Sequence, residues 1–379
     1  MKILLDVRKI GKRQTGDEVY ITNLIRNLIK LDKQNFYYLA TDSCESESLI
    51  DSILGELPKN FKLVYFTPKG KLFWTNYALP RFAKKKRVDL VHVQYLVPLR
   101  LSSKIKLITT IHDISFKKQK TGISFKDQWI MNKFIPKSLK KADQIISVSN
   151  FTKQEITQAY KKIPAKKIKV IYNGIDEKFK PSKHFDQKYL DQIRTKYELG
   201  KRYLLHLSSL QPRKNIPALI EAYRDYIYKY KDEETLLVIG GEKSYNYDQR
   251  IDNLLRDLVL KEKVKMVGYI KDEDLPAIYA MATAYVSPST YEGFNLPLGE
   301  VMQSGVPIVA SNIPCHKEIL EGSGILVDSK DIKGFSKGIN EGLNNQALRT
   351  SLIIKGYQRA KDFSWKKCAE ETLKLYQNC

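Results

Sequence analysis

Short apolar runs, each ending in a polar or glycine-containing loop and followed by helix-spaced apolar residues, recur through both halves of this chain. Residues 3–7 lead to Thr15 and Gly16 and then to Tyr20, Leu24 and Ile25. Residues 106–111 end in His112 and Asp113. Residues 205–207 precede Pro212-Arg213-Lys214-Asn215 and then Ile216, Leu219, Ile220, Tyr223 and Ile227; residues 284–286 run into a Pro, Ser, Thr and Gly loop. Runs of this length without alternation suit strands buried on both faces, and the helical segments suit crossovers, so the pattern restricts the fold to α/β with parallel sheets. At 379 residues the chain exceeds what one core supports. We expect residues 1–178 and 179–362 as two Rossmann-like domains, with the junction at residues 176–181 and a charged, mobile stretch running from there to Gly200. A closing helix over residues 363–379 carries Trp365, Cys368, Leu373 and Tyr376 as its apolar positions.

The loop after residues 284–286 carries Glu292, and Glu300 follows eight positions later. Proline is well placed in a first helical turn, so a helix is expected to start near Pro297, with Glu292 on the loop and Glu300 one turn inside. The amides of Gly293, Phe294, Asn295 and Leu296 then lie ahead of a helix N-terminus, where polar or anionic ligands are held. Two carboxylates flanking such a loop can accept hydrogen bonds from vicinal hydroxyls of a sugar or ribose. Spacing alone fits equally a first-turn carboxylate favoured by the helix dipole and a solvated loop acid. Upstream, Arg213 and Lys214 follow a strand and open a helix, where Arg through paired donors and Lys as a point charge suit a diphosphate; a solvated basic turn is the plain alternative. His112, delivered at the end of an apolar run, stands where ligands bind in open α/β sheets.

The segment from Pro288 to Glu318 resembles the retaining GT-B glycosyltransferases of family 4. These carry a Glu-x7-Glu motif inside a Pro-Ser-x-x-Glu-Gly-Phe-Gly-Leu-Pro-x-x-Glu-Ala-Met-x-x-Gly-x-Pro-Val pattern. Departures are Asn295 for the usual glycine, Gly299 before the second acid and Val301 for alanine. Asn tolerates positive φ better than other non-glycine residues, which preserves the loop shape. The strand, loop and Pro-Arg-Lys-Asn at 205–215, the segments 143–152 and 170–176, and the opening Asp6-Val7-Arg8 also resemble the family. So does His112-Asp113, in a branch that includes mannosyltransferases of polysaccharide and O-antigen assembly. That branch has glycines after the position of Gly16 that let backbone approach ligand, whereas here Asp17 and Glu18 follow. An acid there would repel phosphate, so the loop faces the acceptor or the donor sits elsewhere. Ser208 also replaces a common glycine.

The resemblance implies GT-B architecture: two Rossmann-like domains facing a cleft, with the C-terminal helix crossing back to the first. It implies transfer of a hexose, with mannose from GDP-mannose as the first choice, from a nucleotide diphosphate sugar to a hydroxyl of a lipid-linked or polysaccharide acceptor, with retention and without a metal or other cofactor. Glu300 is implied to hold the ribose. Glu292 and the amides of residues 293–296 would hold the sugar, Arg213 and Lys214 the diphosphate, Gly16 and Ser208 part of the donor, and backbone at Tyr269 and Ile270 the base. His112 would touch the transferred sugar, and the leaving phosphate would take the acceptor proton. UDP-glucose, UDP-galactose or UDP-N-acetylglucosamine are alternative donors.

Charge adds an independent constraint. Residues 1–180 hold 36 Lys or Arg against 16 Asp or Glu, and residues 181–379 hold 29 against 26. The run from Lys117 to Lys141 has eight lysines and one acid, Asp127, among Phe125, Trp129, Ile130, Met131, Phe134, Ile135 and Leu139. Arg81 to Arg87 follows Phe73, Trp74 and Tyr77. Lysines beside exposed aromatics suit an anionic membrane surface; a lysine-rich solvated face is the alternative. Nucleic acid is not expected, because no recognition motif accompanies the charge. A basic nucleic-acid- or membrane-binding protein without catalysis, or a GT-B epimerase that consumes donor alone, are the readings from other classes. The opening apolar run is too short for a signal peptide, no stretch reaches the ~18 residues of a membrane span, and Cys44, Cys315, Cys368 and Cys379 lack paired spacing. A cytoplasmic protein with reduced thiols, peripheral on the inner face of the membrane, is expected. The five histidines show no metal-ligand spacing. Asp272-Glu273-Asp274 precedes a helical pattern and is expected to cap it.

Overall fold

The computed structural model describes residues 1–11, 15–42, 46–66, 70–118, 125–243 and 246–379. Cys44 and residues 119–124 of the lysine-rich run lie outside them. The chain divides into two compact units, Met1–Ile114 with Lys126–Gly174 and Ser364–Cys379, and Ser115–Phe125 with Ile175–Phe363.

The first unit is built on seven parallel strands: β1 (Lys2–Asp6), β2 (Phe36–Thr41), β3 (Phe61–Tyr65), β4 (Leu90–Gln94), β5 (Lys106–Ile111), β6 (Gln144–Ser147) and β7 (Ile168–Val170), in the order β3-β2-β1-β4-β5-β6-β7. The order reverses between β1 and β4, which creates a crevice beyond their carboxyl ends. Helix Trp365–Gln377 packs on helix Gly16–Leu31 within this unit. Tyr376 Oη lies 2.6 Å from His92 Nδ1 on the central strand β4. Gly174 lets this happen: a Cβ there would sit 2.0 Å from the Trp365 amide nitrogen.

The second unit holds six parallel strands: β8 (Tyr203–Leu207), β9 (Leu236–Gly240), β10 (Val264–Gly268), β11 (Ala284–Ser287), β12 (Ile308–Ser311) and β13 (Ile325–Val327), ordered β10-β9-β8-β11-β12-β13. Both units are Rossmann-like, as the alternating apolar runs require. The switch point of the second sheet lies between β8 and β11. Its core gathers Leu204, Ile216, Leu219, Ile220 and Tyr223 with Val286 and Val309, so the helix after Asn215 is clamped to the strands that frame that crevice.

Three expectations are corrected. Residues 175–178 belong with the second unit: the Ile175 N–H donates to Phe363 O at 3.2 Å, and a Cβ on Gly299 would meet Ile175 Cδ1 at 2.6 Å, which accounts for glycine before Glu300. The charged stretch before Gly200 is an ordered helix, Gln187–Lys196, with Asp186 accepting from the Tyr189 N–H and with Leu190 and Ile193 buried. Its polar outer face hides an inner face of few apolar residues. Trp74 is fully buried, as are Ile135 and Leu139, so these leave the set of exposed aromatic and apolar residues beside the lysines. Among the described residues no helix is long and apolar enough to cross a membrane, and Cys315, Cys368 and Cys379 are unbridged.

Candidate active site

At the switch point of the second sheet, the residues after β8 and those after β11 converge. Pro212–Lys214 form a single 3-10 turn closed by Asn215 in the left-handed region at φ 55°. The Asn215 side chain donates to Pro288 O at 3.3 Å and Ser329 O at 2.9 Å, and the Thr290 N–H donates to Arg213 O at 2.8 Å. The basic turn is thus stitched to the loop that carries Glu292. Arg213 Nη1 donates to Glu292 Oε2 at 2.8 Å, and Lys214 Nζ to Glu292 Oε1 at 2.6 Å. Burial by itself would raise the Glu292 carboxyl; Lys214 and Arg213 outweigh it and hold the group well below the usual range. Two cations and one carboxylate leave a net positive centre at the carboxyl edge of the sheet, suited to an anionic ligand.

Asn295 takes φ 68°, ψ 70° at the start of helix Leu296–Ser304, so the left-handed bend survives the exchange of glycine for asparagine. Its side chain adds what glycine cannot: Nδ2 donates to Ser287 Oγ at 3.0 Å and to His316 Nε2 at 2.9 Å. His316 Nδ1 must then carry the proton it gives to Ser311 O at 2.9 Å, and burial lowers its pKa to about 4, keeping it neutral. Phe294 is buried edge-on against Phe363, with ring centres 5.3 Å apart, and Gly293 and Leu296 are also buried.

Glu300 does not join the Glu292 cluster. Its carboxyl accepts from the buried Tyr279 hydroxyl, and burial raises its pKa to about 7, with Tyr279 and Lys178 opposing and Asp272 and Asp176 assisting. Ser208 directly follows β8. Its N–H donates to Gly240 O at 3.1 Å, and its hydroxyl is spent on His206 Nε2 at 2.7 Å or Ser209 O at 3.1 Å. His206 Nδ1 donates to Val286 O at 2.8 Å, and burial holds its pKa at about 4, so this ring is a neutral strut. Gly268 at φ 66° turns the chain into Tyr269, which is exposed, and Ile270, which is buried. Asp274 stands at a helix N-cap without capping it; its carboxylate instead accepts from Lys196 at 2.6 Å and Tyr197 at 2.7 Å.

In the first unit, His112 follows β5 and Gly16 opens helix Gly16–Leu31. Gln94, the last residue of β4, places Oε1 2.7 Å from His112 Nε2, which assigns the proton to Nε2 and leaves Nδ1 as an acceptor. Asp17 Oδ1 lies 3.9 Å from the same Nε2 and Asp17 Oδ2 lies 3.4 Å from Lys9 Nζ. Burial lowers the His112 pKa while Asp17 and Asp113 oppose that shift. Glu18 takes the Gly11 N–H at 2.6 Å. Sequence reasoning missed Gln94 and treated Asp17 only as a departure. The signal for Gln94 was its place at the carboxyl end of a strand flanking the switch point.

Residues 190–359 match the family model of glycosyl transferases group 1, and residues 15–179 that of glycosyltransferase family 4. O-antigen chain mannosyltransferase B of Escherichia coli is 31% identical over 397 residues, covering 100% of both chains. A glycosyltransferase of Rickettsia africae superposes with a TM-score of 0.77 at 20% identity, covering 100% of this chain and 98% of that one. HepE of Anabaena in complex with UDP-glucose gives 0.75 at 18% identity, covering 99% and 100%. These two likenesses show the GT-B fold. With a full-length relative above 30% identity and both halves matched, the chain belongs to glycosyltransferase family 4.

Proposed function

We propose that this chain transfers a hexosyl residue, mannose as the first choice, from a nucleotide diphosphate sugar to a hydroxyl of a growing polysaccharide or lipid-linked glycan. The observation that carries the reading is the Arg213–Glu292–Lys214 cluster at the switch point of the second sheet. The E. coli relative's name supports mannose, and the HepE complex with UDP-glucose supports a nucleotide-sugar donor and keeps a UDP-sugar as the alternative.

In this reading the bond from the sugar's anomeric carbon to the diphosphate breaks and a bond to the acceptor oxygen forms on the same face. The acceptor proton passes to the leaving phosphate. Arg213 and Lys214 stabilise the charge that develops on the leaving group, the step where fixed cations contribute most. Glu292 holds both cations in place and orients sugar hydroxyls; Glu300 takes the ribose. Tyr269 and Ile270 meet the base through backbone, and the amides of residues 293–296 meet the sugar. Gly16 and Ser208 contact part of the donor, and His112 Nδ1 accepts from a hydroxyl of the transferred sugar. No metal or other cofactor takes part, and the protein works in the cytoplasm at the inner face of the membrane, where lipid-linked acceptors are presented.

Thermal unfolding against a panel of GDP, UDP, ADP and dTDP sugars tests this. A ligand at 100 times its dissociation constant adds about 2.7 kcal/mol, so the true donor stands out. A shift with GDP-mannose that vanishes in Lys214→Ala is the expected outcome. The same shift persisting in that variant would remove the cluster from the donor site.

A further inference from the structure

The order of the first sheet reverses between β1 and β4, and β4 ends on Gln94 at that switch point. Consecutive side chains of a strand point to opposite faces, so Gln94 and Tyr95 should part. Both nevertheless reach one imidazole: Gln94 Oε1 lies 2.7 Å from His112 Nε2, and the Tyr95 ring centre lies 5.6 Å from that of His112, with the planes at 50°. The cause is in the backbone. Tyr95 takes φ 60°, in the left-handed region where a bulky side chain is strained. Its surroundings hold the bend. The Tyr95 N–H donates to Thr110 O at 3.0 Å, the Leu96 N–H to Gln94 O at 2.8 Å and the Val97 N–H to Ser138 Oγ at 3.1 Å. These bonds impose a conformation that tyrosine by itself avoids, and strain maintained in this way collects at ligand sites.

Tyr20 also packs on the imidazole, edge-on, with ring centres 5.0 Å apart and planes at 79°. It is fully buried, and its hydroxyl is paired with Thr110 Oγ1 at 3.0 Å. Tyr95 is only half-buried. Of these two rings, Tyr95 is therefore the one with surface left for a ligand that reaches His112 Nδ1.

We propose that Tyr95 is a sugar-binding residue, its ring packing on the C–H face of a pyranose that donates a hydroxyl to His112 Nδ1. A pyranose carries hydroxyls at its edge and apolar C–H groups on its face, and an imidazole acceptor beside an aromatic ring meets both. Gln94 completes the arrangement as a positioning residue: with Oε1 on the Nε2 proton it fixes the imidazole, so that Nδ1 and the Tyr95 ring keep one mutual geometry. An anion is disfavoured here, because Asp17 Oδ1 stands 3.9 Å from Nε2 and burial opposes protonation of the ring. The inference rests on the transferase reading for the identity of its ligand.

Tyr95→Phe and Tyr95→Asn test it in the full chain, with GDP-mannose or the sugar nucleotide that shifts the melting temperature as donor and membrane extract as acceptor. Asparagine tolerates the left-handed bend, so it removes the ring and keeps the backbone. At a temperature where all three proteins are folded, kcat/KM falls about ten-fold or more in Tyr95→Asn and stays within about two-fold of wild type in Tyr95→Phe. A KM raised for the extract places the ring on the acceptor sugar, and a KM raised for the donor places it on the transferred sugar. A purely structural Tyr95 would lower the melting temperature and leave kcat/KM of the folded variants unchanged, which overturns the proposal. A loss in Tyr95→Phe equal to that in Tyr95→Asn overturns it as well, since the hydroxyl and not the ring would then matter. NMR of the His112 ring during titration with methyl α-mannopyranoside separates this from the transferase reading. Signals that move in the wild type and in Tyr95→Phe but not in Tyr95→Asn support the ring contact even where no sugar nucleotide is consumed. Signals that stay still in a wild type that also turns over no donor overturn both.

Discussion

Lys214 and Glu292, 78 positions apart in the chain, meet at 2.6 Å at the carboxyl edge of the second sheet. Glu292 also holds Arg213, so the carboxylate is the counter-ion that keeps two like charges side by side when no anion is bound. A diphosphate entering this place would find its cations already oriented, which lowers the reorganisation needed as charge develops on the leaving group.

Lys214→Ala and Glu292→Gln should each lower turnover by ~100-fold or more, the first by removing a cation from the leaving group and the second by releasing both. Donor consumption by the folded variants, measured with membrane extract as acceptor, checks this. Rates equal to the wild type in both would exclude these residues from catalysis.

The Glu300 carboxyl, raised from 4.5 to about 7, makes stability fall as pH rises. Between those two values the folded state holds a proton that the unfolded chain has released, so ionising this half-buried group costs folding free energy that is fully felt above about pH 7. Glu300→Gln should remove this slope, gaining about 1–3 kcal/mol relative to wild type near pH 8 and little near pH 4. Denaturant unfolding at the two pH values reads the difference. Donor affinity should run the opposite way in the wild type, strengthening as Glu300 ionises and becomes the better acceptor for ribose hydroxyls.

Asn295→Ala should destabilise more than Asn295→Gly. Both lose the bonds to Ser287 and His316, at about 1 kcal/mol, but alanine also keeps the strain of a left-handed backbone, another ~1 kcal/mol. Thermal unfolding of the pair separates the terms; equal losses would show that backbone conformation contributes nothing here.

Gln94→Glu should raise the pKa of His112, because a carboxylate replaces a neutral amide oxygen 2.7 Å from Nε2. NMR titration of the ring in the free protein reads this without any substrate. An unmoved titration would place Gln94 outside the environment of the imidazole.

Much of this was legible locally. The strands, the helix begun next to Pro297, the Asn295 bend and the cationic turn at Arg213 and Lys214 depend on residues a few positions apart, where spacing carries the signal. What was not legible depends on partners far along the chain. Nothing near Glu292 says that both its oxygens are occupied by residues 213 and 214, and nothing near Glu300 points to Tyr279. The helix Gln187–Lys196 looked mobile because Leu190 and Ile193 are outnumbered by Lys188, Asp191, Arg194 and Lys196. Trp74 resembled its exposed neighbours because a π-turn shifts the helical phase that periodicity assumes.

The seat of the last helix has a consequence for how the protein is made. His92, in the middle of the first sheet, waits for Tyr376, and Gly174 for Trp365. Ribosomes add about 5–20 residues per second, so the first unit emerges early and then stays unfinished for roughly 10–40 s while the entire second unit is synthesised. Throughout that interval the groove left by the missing helix exposes apolar surface to solvent or to a chaperone. Substitutions that slow or unfold the second unit should therefore show themselves as aggregation of the first.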